Sequence, residues 1–182
     1  MVIELPVIYS TSSAENFAHG AVKIIHLTGI ADHIAFGAET DNMDALKATA
    51  AILSDPPHPF TEALKKSLDE GRSFPSARAE AISFISNSSA DILNFPNNIL
   101  AVEYLKALNS FHSELEPCLV HRRHSQFNSD EITGAIASAT AIRKAIGNKQ
   151  MDLLRQTVPS ECFELYKHTA PVFADDFSNA LG

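Results

Sequence analysis

Two short apolar runs alternate with two stretches of helical periodicity in the first 54 residues, and that order constrains the fold more than any other feature of the chain. Val2-Ile3-Glu4-Leu5-Pro6 is a brief apolar run stopped by proline, which predicts a buried strand. Ser12 and Glu15 form an S-x-x-E capping box. Behind it Ala14, Phe17, Ala18, Ala21, Val22 and Ile25 recur at i, i+3, i+4 spacing, predicting a helix over about 12–27. His33-Ile34-Ala35-Phe36-Gly37 predicts a second buried strand, and a helix near 43–54 is closed by Asp55-Pro56-Pro57. Strand, helix, strand, helix is the pattern of a parallel α/β sheet, because parallel strands need a crossover long enough to hold a helix.

The remainder reads as mostly helical. Helices are expected over 60–70, ended by Gly71, and over 76–86, followed by a loop rich in Ser and Asn. Pro96 opens another helix whose Leu100, Ala101, Tyr104, Leu105 and Leu108 form one stripe, and Cys118-Leu119-Val120-His121 predicts a third strand. After a polar loop over 124–135 come helical stretches near 139–146, ending at Gly147, then 149–156 and 160–168, with Asp175 to Leu181 opening one more. Three strands are fewer than the five or six of a doubly wound sheet. The pattern points to an incomplete, helix-rich piece of a larger design, or to a chain that completes its sheet as a homodimer through an exposed edge; a small self-sufficient domain with an open edge is the alternative.

Composition narrows the class. Of 182 residues 45% are hydrophobic and 20% charged, enough to bury a core and too apolar for disorder. No apolar run approaches the roughly 20 residues of a membrane helix. Glu4 and the lack of a positive cluster argue against a secretory signal. Cys118 and Cys162 are too few and too far apart for a zinc site or a disulfide framework. A cytoplasmic, reduced protein without membrane or metal is expected. Net charge is −8, yet residues 121–156 hold six bases (Arg122, Arg123, Arg143, Lys144, Lys149, Arg155) against Asp130, Glu131 and Asp152. One basic island in an acidic chain suits holding a particular anion better than coating nucleic acid, although a solvated basic face has the same composition.

Three places carry candidate chemistry. In Ile136 to Gly147, Ser138 or Thr140 caps a helix start whose free N–H groups and dipole favour an anion, with Thr140, Arg143 and Lys144 on one side and Ala139, Ile142, Ala145 and Ile146 on the other. An ordinary capped helix with a basic face fits the same residues. Asn97 and Asn98, at the start of the Pro96 helix, are either caps or readers of a base or ribose edge. Gly37 and Arg122-Arg123 follow strands, where ligands of parallel sheets bind. His121 and His124 lack the companions of a metal site, Glu4 at a strand end reads as a cap or backbone contact before a catalytic acid, and no nucleophile elbow, P-loop or dinucleotide turn is present.

At these residues the chain resembles a known family. The segments V-I-E-L-P-V-I-Y-S-T-S-S-A-E-N-F-A-H-G-A-V (2–22), A-F-G-A-E (35–39), F-P-S-A-R (74–78), P-N-N-I-L-A-V-E-Y-L-K-A-L (96–108) and I-A-S-A-T-A-I-R-K-A-I (136–146) are similar, in this order, to the bacterial tRNA(Met) cytidine acetate ligases of the nucleotidyltransferase superfamily. The resemblance implies a Rossmann-like, nucleotidyltransferase-type ATP-binding domain over 1–147 and the start of a helical extension over 148–182. It implies activation of acetate by ATP and Mg2+ as acetyl-adenylate, and acetyl transfer to the wobble cytidine of elongator tRNA(Met). It assigns ATP contacts to Gly37, Asn97 and Arg122, and to Ser138, Thr140 and Arg143 as the second phosphate-binding signature; no catalytic residue is assigned.

The same resemblance sets the family's H-x-G-H loop ahead of Met1 and its tRNA-holding helical part beyond Gly182, and the segment Arg123 to Ser129 drifts from the family's Tyr-His-Asp ending. Impaired turnover by this chain alone is therefore expected, and whether it is an enzyme by itself stays open. The alternatives are a non-catalytic nucleotide- or RNA-binding remnant and an adenylyltransferase acting on another small acid.

Overall fold

Alternation of Ile34, Phe36 and Ala38 with His33, Ala35 and Gly37 builds β1 (His33–Ala38): the first three are buried and the other three exposed. It pairs in parallel with β2 (Glu116–His121), in a register running from His33 opposite Glu116 to Ala38 opposite His121. The computed structural model describes residues 2–122, 132, 134–169, 171–172 and 176. The chain forms two compact units, Met1–Arg122 and Arg123–Gly182.

In the first unit the elements follow as α1 (Val7–Ser10), α2 (Ala14–Thr28), β1, α3 (Met43–Ser54), α4 (His58–Asp69), α5 (Phe74–Ser83), α6 (Asn87–Ile92), α7 (Pro96–Ser110) and β2. The helix ends are written locally. Ser13 accepts from the Asn16 N–H to start α2, and Gly29, at φ 63°, ends it in the left-handed conformation that glycine adopts without strain. Asn42 accepts from the Ala45 N–H at 3.0 Å to start α3. Prolines 59, 75 and 96 stand in the first turns of α4, α5 and α7, where a missing N–H costs nothing.

The inner face of β1 meets α2, α3 and α7 in one core that contains Val22, Ile34, Phe36, Leu46, Ala50, Val102, Leu105 and Leu108. Phe36 stacks on Tyr104 with ring centroids 5.6 Å apart. Each large aliphatic side chain buried there contributes about 1.5–3 kcal/mol. A second cluster, Phe60, Ala81, Ile82 and Leu93, joins α4, α5 and the end of α6. In the second unit α8 (Ala139–Gly147), α9 (Met151–Thr157) and α10 (Ser160–His168) share a small core of Ala145, Leu154 and Phe163.

The α/β class, the helix-rich composition and the parallel pairing match the sequence reading. Four details differ. The run Val2–Pro6 is not a strand: Val2 is 98% exposed and the segment leads into α1, so the described residues hold two strands rather than three. A run of five apolar-biased residues has no partner specified locally, and strand formation needs one. Ser12 does not cap α2; its hydroxyl donates to the Tyr9 carbonyl at 2.8 Å, and Glu15 turns to Lys106. The Ser- and Asn-rich stretch after residue 86 is helical, as α6, because Ser86 caps it and Ile92 is buried beneath it. On α8 Ile142, Ala145 and Ile146 pack inward as expected, but Ala139 is exposed and Ala141 is buried in its place. The expected loop at 124–135 and the expected helix at 175–181 lie largely outside the described residues. Among the described residues no helix is long and apolar enough to cross a membrane.

Candidate functional site

Parallel strands direct their carboxyl ends to one edge, and here that edge meets the amino end of α7. Glu39 follows β1 and reaches the first turn of α7. Its Oε2 accepts from the Asn98 backbone N–H at 2.9 Å, and its Oε1 accepts from Asn97 Nδ2 at 2.6 Å and from the Asn97 N–H at 3.4 Å. A carboxylate on those unpaired N–H groups caps the helix and complements its dipole. Asn98 returns the contact. Its Oδ1 accepts from the N–H groups of Glu39 at 2.9 Å and Thr40 at 3.0 Å, and the residue is 2% exposed. Strand end and helix start are thus joined in both directions.

Arg122 leaves β2 beside this junction. Its backbone N–H donates to the Ala38 carbonyl at 2.9 Å, and its Nη1 lies 3.5 Å from Asn97 Oδ1. The methylene stem of Arg122 passes over Gly37, where a β-carbon would lie 3.5 Å from Arg122 Cγ. His121 Nε2 is 3.1 Å from the Glu39 carbonyl. Gly37, Asn97 and Arg122, proposed separately from sequence, are therefore neighbours at one sheet edge. The arrangement sets a guanidinium, which makes further interactions, and an amide beside the strand end, a pair of groups that suits a polyanionic, hydrogen-bonding ligand.

The other three predicted residues belong to the second unit. Ser138, 5% exposed, starts α8 by accepting from the Ala141 N–H at 3.0 Å, and Arg143 Nη2 donates to Thr140 Oγ1 at 3.3 Å on the exposed side with Lys144. Both Ser138 and Lys144 make further interactions. Sequence reasoning missed Glu39 and gave Asn98 no defined role. The signal was the A-F-G-A-E motif itself, an acid directly after a buried strand. Arg123 and His124 lie outside the described residues.

A cleft of about 560 Å³ lined by His26, Asp32, His33, His112 and Glu116 opens at the amino ends of the strands. It is rich in titratable groups, yet among the described residues no three of His, Cys, Asp or Glu are placed to hold a metal ion. The carboxyl edge is favoured as the site because parallel sheets direct their ligands there and because the motif residues converge on it.

The sequence profile of the HIGH nucleotidyl transferases matches residues 1–182. The chain belongs to that family. Its relatives include the tRNA(Met) cytidine acetate ligases of Halothermothrix orenii, 37% identical over 192 residues covering 100% of this chain and 44% of the relative, and of Clostridium tetani, 41% identical over 175 residues covering 92% and 43%. Among solved structures, apo Thermotoga maritima TmcAL superposes with a TM-score of 0.88 at 29% identity, over 96% of this chain and 44% of that one. The same protein bound with alpha-thio ATP gives 0.79 at 30% identity, over 91% and 39%. The chain spans less than half the length of these proteins. Its fold is that of a nucleotidyl transferase, and in this family member the two-stranded parallel sheet carries the candidate site at its carboxyl edge.

Proposed function

We propose that this chain is the ATP-binding portion of a tRNA-modifying ligase that activates acetate and acetylates the wobble cytidine of elongator tRNA(Met). The observation that carries the reading is the meeting of Asn97 and Arg122 beside Gly37 at the carboxyl edge of the sheet. The relatives' names and the alpha-thio ATP bound by the Thermotoga protein support it. In the proposed chemistry an acetate oxygen attacks the α-phosphorus of ATP and pyrophosphate leaves, giving acetyl-adenylate. The cytidine amine then attacks the acetyl carbon, and AMP leaves. Such a site works by positioning and by neutralising phosphate charge rather than through a protein nucleophile.

Gly37, Asn97 and Arg122 are assigned to ATP on the geometry of the sheet edge. Ser138, Thr140 and Arg143 are assigned to its phosphates on motif resemblance alone. Magnesium enters with the nucleotide as MgATP, held by phosphate oxygens and water, its usual mode of binding. Association of two copies through the sheet edge belongs to the same proposal, and a strictly monomeric chain by light scattering contradicts that part.

The test is calorimetric titration of MgATP into the wild-type chain and into Asn97→Ala and Arg143→Ala. Binding that both variants lose supports the assignment. A well-folded wild-type chain that takes up no MgATP moves the function to a non-catalytic role. Pyrophosphate exchange with a panel of small acids then decides the substrate: dependence on acetate supports the ligase, and exchange indifferent to acetate assigns another acid.

A further inference from the structure

We propose that Glu39 is a positioning residue: it fixes which way the Asn97 amide faces, and so determines that Arg122 meets a hydrogen-bond acceptor. The inference rests on the ATP-site reading given above. An ionised carboxylate only accepts, on both oxygens, whereas an amide accepts at one atom and donates at the other. Glu39 Oε1 lies 2.6 Å from one terminal atom of the Asn97 amide, and Arg122 Nη1 lies 3.5 Å from the other. The first atom must therefore be the donor, Nδ2, and the second the acceptor, Oδ1. A flip would set oxygen against carboxylate and NH2 against guanidinium, two repulsive contacts in place of two attractive ones.

The same carboxylate is held in place by the helix it caps. Oε2 accepts from the Asn98 N–H at 2.9 Å, while the Asn98 side chain grips the Glu39 and Thr40 N–H groups from the other direction. Glu39 therefore cannot swing away without leaving the part-buried donors of the first turn of α7 unpaired. It lies behind Asn97 as seen from Arg122, so it acts on a ligand through Asn97 and Arg122 rather than by touching it.

Glutamine at this position cannot do the same work. Its single oxygen serves either the helix N–H of Asn98 or the NH2 of Asn97, and its own NH2 confronts the other. With its oxygen kept on the cap, Glu39→Gln turns the Asn97 amide over and presents NH2 to Arg122. Asn97→Asp fails differently, by facing one carboxylate with another. The double variant Glu39→Gln/Asn97→Asp restores a matched chain: the introduced glutamine donates to the introduced aspartate, which keeps an acceptor toward Arg122.

The experiment measures MgATP affinity by calorimetry, melting temperature, and the exchange protection of the Asn97 side-chain NH2 by NMR, for the wild type, both single variants and the double. Each single variant is expected to weaken MgATP binding about tenfold or more, the scale of one hydrogen bond to a charged group. The double is expected to recover to within about threefold of the wild type, since the polarity of the chain is restored. The wild-type amide is expected to be protected, and to lose protection in Glu39→Gln. Affinity unchanged in Glu39→Gln, or no recovery in the folded double variant, overturns the positioning role. Should the wild type bind no MgATP, the nucleotide reading fails by itself. The amide protection then decides the orientation role independently: an unprotected wild-type amide, or one indifferent to Glu39→Gln, sinks it.

Discussion

The ring of Tyr9 rests on the bare backbone of Gly20: a β-carbon built at Gly20 would lie 2.5 Å from the ring Cγ and 2.9 Å from Tyr9 Cβ. Gly20 stands inside α2, where glycine is about 1 kcal/mol poorer than alanine, so its presence needs a tertiary reason. The reason is the docking of α1. Because the clash involves the root of the Tyr9 side chain, rotating the ring alone does not relieve it.

Gly20→Ala is therefore expected to release α1 while leaving the rest of the first unit folded. Overpacking costs of about 1–3 kcal/mol are offset in part by the helix gain, so the net change in global stability is about 0–2 kcal/mol. Hydrogen exchange checks this. Amides of residues 9–11 should lose protection in the variant, while those of α2 and α7 keep it; unchanged protection at 9–11 contradicts the docking account.

The buried Asn98 makes a sharper stability prediction. Asn98→Ala strands the N–H groups of Glu39 and Thr40, and is expected to cost about 2–3 kcal/mol in urea denaturation. Asn98→Leu, which keeps a side chain of comparable bulk without the acceptor, should lose as much. A leucine variant as stable as the wild type would show that packing, and not the two accepted hydrogen bonds, sets the requirement.

Gly37 separates fold from site. There is room for a β-carbon at ordinary contact distance from Arg122, so Gly37→Ala should fold normally. Gly37→Val adds a branched side chain that favours a strand but pushes on the Arg122 stem. Unchanged or raised melting temperature with MgATP affinity lowered about tenfold is the expected pair of results, on the scale of one lost charged contact. Undiminished affinity in Gly37→Val would place the nucleotide elsewhere.

The charged network between α2, α5 and α7 sets a pH dependence. The Glu103 side chain is 2% exposed and binds Lys106 Nζ at 2.7 Å and Arg78 Nη1 at 3.3 Å, while Lys106 also reaches Glu15 at 2.9 Å. The hydrogen bond and charge of Lys106 hold the Glu15 carboxyl below its ordinary 4.5, against a smaller opposing effect of burial. Burial pulls Lys106 down, but hydrogen bonds to Glu103 and Glu15 and their charges outweigh it and hold the ammonium above 10.5. A depressed acid contributes stability above its unfolded value, so the Glu15 share is lost as pH falls below 4.5. A raised base contributes below its unfolded value, so the Lys106 share is lost as pH rises beyond 10.5. Glu15 is 68% exposed, so solvent keeps its share small. Glu15→Gln should flatten the acid limb slightly at low salt. Glu103→Ala should cost about 3 kcal/mol, because it leaves two largely buried cations without their shared partner. Denaturation midpoints across pH check both; an acid limb unchanged by Glu15→Gln contradicts the first.

What the sequence determined by itself was local. α3 and the strand starting at His33 could be read because their signals lie within a few residues of each other: a stop at Asp55-Pro56-Pro57, and a short apolar run ending at Gly37. Where the decisive partner was distant, local reading failed. The apolar bias of Val2–Pro6 could not say that β1 and β2 would pair with each other and leave it out. From sequence Asn97 and Asn98 read as caps first and as ligand readers second. Their hydrogen bonds are set by Glu39, 58 and 59 residues away, whose carboxylate accepts from one amide and whose backbone N–H is held by the other. Hydrogen-bond polarity is a property of pairs, and only the tertiary structure brought these pairs together.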